Sequence, residues 1–209
     1  MLNLAEESDS RWATAVVEHL DELLLEHAHL ERKAASGALQ FMFRYSEHAF
    51  LQQPLSELAR EELRHYEAVL ELMARRGISF ARQKPSPYAG RLLTIVRPRE
   101  PEQLLDRLLC AAVIEARSCE RMKLLAAALL EDDPELASFY EGLVRSEARH
   151  FSIYVDLARQ LFDAEEVDDR LSEISAHEAR ILADAPDGPR MHNGVPSRKI
   201  QQKNQRRGQ

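Results

Sequence analysis

Two cysteines, seven glycines, nine prolines and a 6% aromatic share leave this 209-residue chain short of the residues that staple small folds or punctuate sheets. The cysteines, Cys110 and Cys119, fall in one expected helix. Nine residues at 1.5 Å each separate them by about 13 Å, beyond the roughly 7 Å a disulfide spans. They are expected to be reduced packing residues. No apolar run approaches the roughly 20 residues of a membrane span, and the opening MLNLAEESDS is acidic where a signal peptide would be basic and then apolar. The expected location is the cytoplasm, with no membrane partner.

What remains is 44% hydrophobic and 30% charged, dominated by Ala, Leu, Glu and Arg. That composition favours an all-α fold with one well-buried core. The net charge of -7 is unevenly spread. From Arg75 to Arg99 lie Arg75, Arg76, Arg82, Lys84, Arg91, Arg97 and Arg99 with no acid, and from Gly188 onward lie Arg190, Arg198, Lys199, Lys203, Arg206 and Arg207 with none. With those thirteen bases set aside, 15 remain against 35 acids. An acidic body with two basic stretches points to a polyanionic partner.

Apolar spacing of helical period predicts four long helices near Asp21–Tyr45, Pro54–Arg76, Pro101–Glu131 and Pro134–Phe162. Shorter ones are expected at Arg11–Leu20 and Ala164–Leu182. Short loops join the long helices into two hairpins, and a long Pro-, Arg- and Lys-rich crossover separates the hairpins. A four-helix bundle with one long connection has ferritin-like topology. The expected organisation is a ferritin-like bundle over residues 1–186 and a basic, partly disordered tail over 187–209.

Glu-x-x-His places a carboxylate and an imidazole one turn apart on one helix face. Chance predicts about one such pair in a chain of this composition, and three occur: Glu26/His29, Glu62/His65 and Glu147/His150. Two of them share a longer string, Glu62-Leu-Arg-His65-Tyr66 and Glu147-Ala-Arg-His150-Phe151, repeated 85 residues apart. The preceding helices each add a carboxylate, Glu31 and Glu115, 84 residues apart. Glu31 aligns with Leu24, Ala35, Ala38 and Met42, and Glu115 with Leu108, Ala112, Cys119 and Met122, so both face the core. Four buried carboxylates without counter-charge would cost many kcal/mol, an objection that two bound cations remove. Oxygen and imidazole donors without thiolate match a di-iron or di-manganese carboxylate site, with iron expected.

The remaining residues have blander readings. Glu26 and His29 have polar helical neighbours and are expected to face water. His27, one turn before Glu31, has two readings, approach to the site and ordinary packing, with packing the first. Arg64 and Arg149 read equally as supports for the carboxylates or as surface ion pairs. Glu120 reads equally as a carboxylate support or as a solvent-facing partner of Arg117 or Arg121.

The strings Ile114-Glu-Ala-Arg-Ser-Cys-Glu-Arg121 and Arg145-Ser-Glu-Ala-Arg-His150, with His192-Asn-Gly-Val-Pro196, resemble the bacterial tRNA 2-methylthio-isopentenyladenosine hydroxylases (MiaE-like) of the ferritin-like non-haem di-iron superfamily. The likeness runs from the first long helix to Pro196. It implies a monooxygenase that uses two irons, O₂ and an external reductase to hydroxylate the isopentenyl side chain of a modified adenosine beside the tRNA anticodon. It places Glu31, Glu62, His65, Glu115, Glu147 and His150 on the metal-ligand positions, with Glu62 and Glu147 bridging and Glu31 and Glu115 terminal.

By the same reading Arg75, Arg76, Arg82, Lys84, Arg91, Arg97, Arg99, Arg198 and Lys199 are candidate RNA contacts. Tyr88 would stack on a base or simply pack. Two rival readings stand beside this one: a ferroxidase, iron-storage or peroxide-reducing di-iron protein, and a metal-free helical module that binds RNA or protein.

Overall fold

The computed structural model describes residues 2–195. Among them are seven α-helices, one 3-10 turn and no strand. The helices are α1 (Arg11–Val17), α2 (Leu20–Arg44), α3 (Ala49–Arg75), α4 (Tyr88–Leu92), α5 (Glu102–Leu129), α6 (Pro134–Ala158) and α7 (Ala164–Ala183), and the 3-10 turn (Leu93–Ile95) follows α4. Contacts divide the described residues into two compact units, Asp21–Pro85 and the residues up to Leu20 together with those from Ser86 on. No described helix is long and apolar enough to cross a membrane.

The first unit is the α2–α3 hairpin. Asp21 and Glu22 sit in the first turn of α2, where the positive end of the helix dipole favours acids. The two helices are tied at the loop, where Gln52 donates to the Tyr45 carbonyl (3.2 Å). Helix α3 begins at Ala49, earlier than the expected Pro54. The proline removes one backbone donor, while Leu51 and Leu55 on either side of it are fully buried and hold that turn in place. The helix ends at Gly77, whose φ of 72° is the left-handed conformation a C-terminal stop requires. Beyond it the chain runs back across α2: His29 Nε2–H donates to the Ala81 carbonyl (2.8 Å), Phe80 lies 4.7 Å from the His29 ring, and Gln83 donates to the Glu22 carbonyl (3.4 Å). Glu26 and His29 are therefore buried, contrary to the expectation that they face water. Covering chain distant in sequence overrides the polarity of their helical neighbours.

The second unit is built on α5, which is apolar around most of its circumference and packs against α6, α7 and α1. Asp133 caps α6 by accepting from the Leu136 amide (3.1 Å), and Pro134 follows in the first turn, where its missing donor costs nothing. Helix α7 buries Val167, Leu171, Ile174 and Ile181. Two buried ion clusters tie this unit together. Asp106 accepts from Arg97 and Arg170 (both 2.8 Å). Arg117 is fully buried and donates to Glu178 (2.8 and 2.9 Å), to Glu120 (2.6 Å) and to the Glu6 carbonyl (2.9 Å).

The chain after α7 also enters this unit. Met191, His192 and Asn193 are buried, Trp12 Nε1–H donates to the Arg190 carbonyl (3.2 Å), and Arg121 donates to the Asn193 carbonyl (3.3 Å). Residues 188–195 of the expected tail are buried or half-buried against this unit. The rest of that tail lies outside the described residues.

Candidate metal centre

Each unit gathers three of the six expected ligands. In the first, Glu31 comes from α2 and Glu62 and His65 from α3. His65 Nδ1 lies 3.5 Å from Glu31 Oε2 and 3.6 Å from Glu62 Oε2, and one donor atom from each residue falls within 4.8 Å of the others. All three side chains are buried. They lie where the helical period puts them, in line with the buried Leu24, Ala35 and Ala38 on α2 and Leu55, Leu58, Val69 and Leu72 on α3. In the second unit Glu115 of α5 meets Glu147 and His150 of α6, again with donor atoms within 4.8 Å. His150 Nδ1 is 4.0 Å from Glu147 Oε1, and all three are buried beside Leu108, Ala112, Leu143, Tyr154 and Leu157.

The electrostatics of the first trio call for positive charge. Burial would push the Glu31 carboxyl up, but His27, foremost, and the bond from His65 outweigh it and hold that carboxyl well below its ordinary value. Burial likewise opposes a charge on His65, yet Glu31 and Glu62 draw its imidazole up to about 10. Two carboxylates thus pull a proton onto the one base among them, and a divalent cation meets the same demand while leaving the imidazole neutral to ligate. The donor set is oxygen and nitrogen throughout. The nearby thiol, Cys119, turns away to the Val144 carbonyl (3.3 Å), and burial raises its pKa. Each trio therefore fits a hard or borderline cation, iron and manganese included.

His27 departs from the packing reading. Its Nε2 lies 2.5 Å from Glu31 Oε1. The i, i+4 spacing was the available signal. Arg64 and Arg149 are exposed. Glu120 pairs with Arg117 as one reading allowed, but inside the buried cluster rather than at the solvent, and it also accepts from the Ser8 amide and hydroxyl (both 2.6 Å). That cluster gave no local sequence signal, because its members lie on α5, α7 and the two ends of the chain.

Of the candidate RNA contacts, Arg75, Arg82, Lys84 and Arg99 are exposed and Arg76 is half-buried. Arg91 is paired with Asp184 (2.7 Å) and Arg97 with Asp106. Arg198 and Lys199 lie outside the described residues. Tyr88 packs inside: its hydroxyl donates to Glu178 (3.0 Å), and its ring stacks on His192 with centroids 4.3 Å apart. Phe80, 40% exposed and with the Arg32 guanidinium over its ring, is the aromatic that the first part of the crossover presents.

Helical hairpins that each carry a buried Glu and a buried Glu-x-x-His define the class, a ferritin-like carboxylate–histidine protein. Across residues 2–193 the sequence matches one family within that class. The chain belongs to the tRNA-(MS[2]IO[6]A)-hydroxylase (MiaE) family. A relative from Pseudomonas putida, named tRNA 2-(methylsulfanyl)-N(6)-isopentenyladenosine(37) hydroxylase, is 40% identical over 185 residues, which are 88% of this chain and 89% of its own length. A relative of the same name from Salmonella typhimurium is 43% identical over 140 residues, 67% of this chain and half of that protein. Among solved structures, "Protein 43 with aldehyde deformylating oxygenase activity" from Synechococcus superposes with a TM-score of 0.85 at 40% identity, covering 93% of this chain and 98% of that one. The strings that carried the resemblance meet in the structure, where Ser118 Oγ and His192 Nε2 lie 3.3 Å apart.

Proposed function

We propose that this protein is an O₂-dependent monooxygenase that hydroxylates the isopentenyl side chain of 2-methylthio-isopentenyladenosine beside the anticodon of cytoplasmic tRNA. The observation that carries the reading is the family match over residues 2–193, with all six ligand-type residues buried in their two trios. Glu31, Glu62 and His65 would serve one iron position, and Glu115, Glu147 and His150 the other. When bound, two irons supply O₂ activation and electron transfer, chemistry that side chains lack. One oxygen atom enters the C–H bond and the other leaves as water, so each turnover takes two electrons from an external reductase and two protons. The chain's own residues hold the donors in register from rigid helices. Leu55, Leu58, Leu143 and Leu157, one to three turns from the ligands, keep bulk water from the site.

Arg75, Arg82, Lys84 and Arg99 are the cations best exposed for phosphate contact. Arg91 and Arg97 already hold acids of the chain and serve the fold.

The test is mass spectrometry of nucleosides from isopentenyl-modified tRNA incubated with iron-loaded protein, O₂ and a chemical reductant. The expected product gains one oxygen on the modified adenosine and is absent without O₂. No gain from protein holding two irons would overturn the tRNA reading. Aldehyde consumption by the same preparation would then point to the activity named for the Synechococcus protein.

A further inference from the structure

His27 lies on α2 one turn before Glu31 and is 1% exposed. Its Nε2 is 2.5 Å from Glu31 Oε1. An ionised carboxylate only accepts, so the Nε2–H donates in a charge-assisted bond within a buried site. The other oxygen, Oε2, faces His65 Nδ1 at 3.5 Å. The carboxylate is thus divided, with one oxygen held by its own helix and the other turned toward the ligand trio. The ring has little freedom to leave, because it is itself buried in the core.

The matching position of the second hairpin, one turn before Glu115, is Ala111. Its methyl group can donate nothing. The two halves therefore repeat at the ligands but differ in this donor.

Resting on the metal-ligand reading of Glu31, we propose that His27 is a positioning residue: it holds Glu31 to metal ligation through Oε2 alone, a hold that Ala111 cannot give at the matching position of the second hairpin. A carboxylate without this bond can rotate about its last torsion and present either oxygen or both. Fixing it removes that freedom before the metal arrives, and partners of this kind change metal affinity about 10- to 100-fold.

The test is titration of metal-free protein with Co(II), followed by visible absorption and calorimetry, on wild type, His27→Ala and His27→Gln. Wild type should take two Co(II) per chain in two distinguishable steps. His27→Ala should weaken one step about 10- to 100-fold, change its absorption, and leave the other step in place. His27→Gln, whose side-chain amide N–H reaches the same point, should recover most of the lost affinity. Two unchanged steps in His27→Ala would overturn the proposal. So would equal weakening of both steps that Gln fails to recover, because that outcome marks general damage to the helix. A wild type that binds fewer than two Co(II) would instead remove the metal reading itself and this inference with it.

Discussion

The residue with most to lose in this molecule is Arg117. Its guanidinium has no solvent exposure and depends on Glu178 for two of its hydrogen bonds. Desolvating two charges roughly cancels their attraction, whereas removing one partner strands the other in the core. Glu178→Leu should therefore cost about 3–5 kcal/mol, and the double substitution of Arg117 and Glu178 by leucine should cost less than the sum of the singles. Denaturant unfolding of the three variants measures this, and simple additivity would count against a coupled buried pair. Tyr88 belongs to the same cluster. Burial, followed by the neighbouring Glu178, pushes its hydroxyl well above its ordinary pKa, so it remains a donor to that carboxylate. Burial and the charge of Arg117 bring Arg121 down to about 10.

Helix ends set the next scale. Asp133→Ala removes the cap of α6 and should cost about 1 kcal/mol, the usual value of a side-chain cap. Gly77→Ala meets no atom within 4 Å, so its cost is backbone strain alone, roughly 1–2 kcal/mol at a φ of 72°. Thermal unfolding should show both losses while metal content stays unchanged; loss of metal in either would mean that these ends govern the site. The long helices were legible in the sequence because their apolar faces repeat with helical period. The six ligand-type residues were legible because they repeat between hairpins and lie on those faces. What was not legible depends on partners far along the chain. Tyr88 stands in a polar crossover, and partners far along the chain, Glu178 and His192, make it a core residue within the short α4. His29 looked solvated until the chain after α3 covered it. His27 was within reach of Glu31 by spacing alone, but spacing does not say which way a ring turns.

At the scale of the molecule, charge is segregated: thirteen bases in two acid-free stretches and a body in which acids outnumber bases 35 to 15. Such a distribution favours approach of a polyanion at the acid-free stretches over the acidic body. Arg82→Glu with Lys84→Glu should weaken tRNA binding and lower the slope of log affinity against log salt by about 1–2, with iron content unchanged. Binding measured from low to moderate salt decides it, and an unaltered slope would move the RNA surface off this segment. The far end of the chain contributes to the body differently, by docking. Trp12, the chain's one tryptophan, is fully buried there, with Arg121 4.1 Å from its ring and the Arg190 carbonyl on its indole nitrogen. Because the Arg190 carbonyl accepts from its indole nitrogen, the ultraviolet emission of Trp12 should shift when that contact is lost, and fluorescence of the intact protein measures it. The protein carries its own optical gauge of that contact and needs no label.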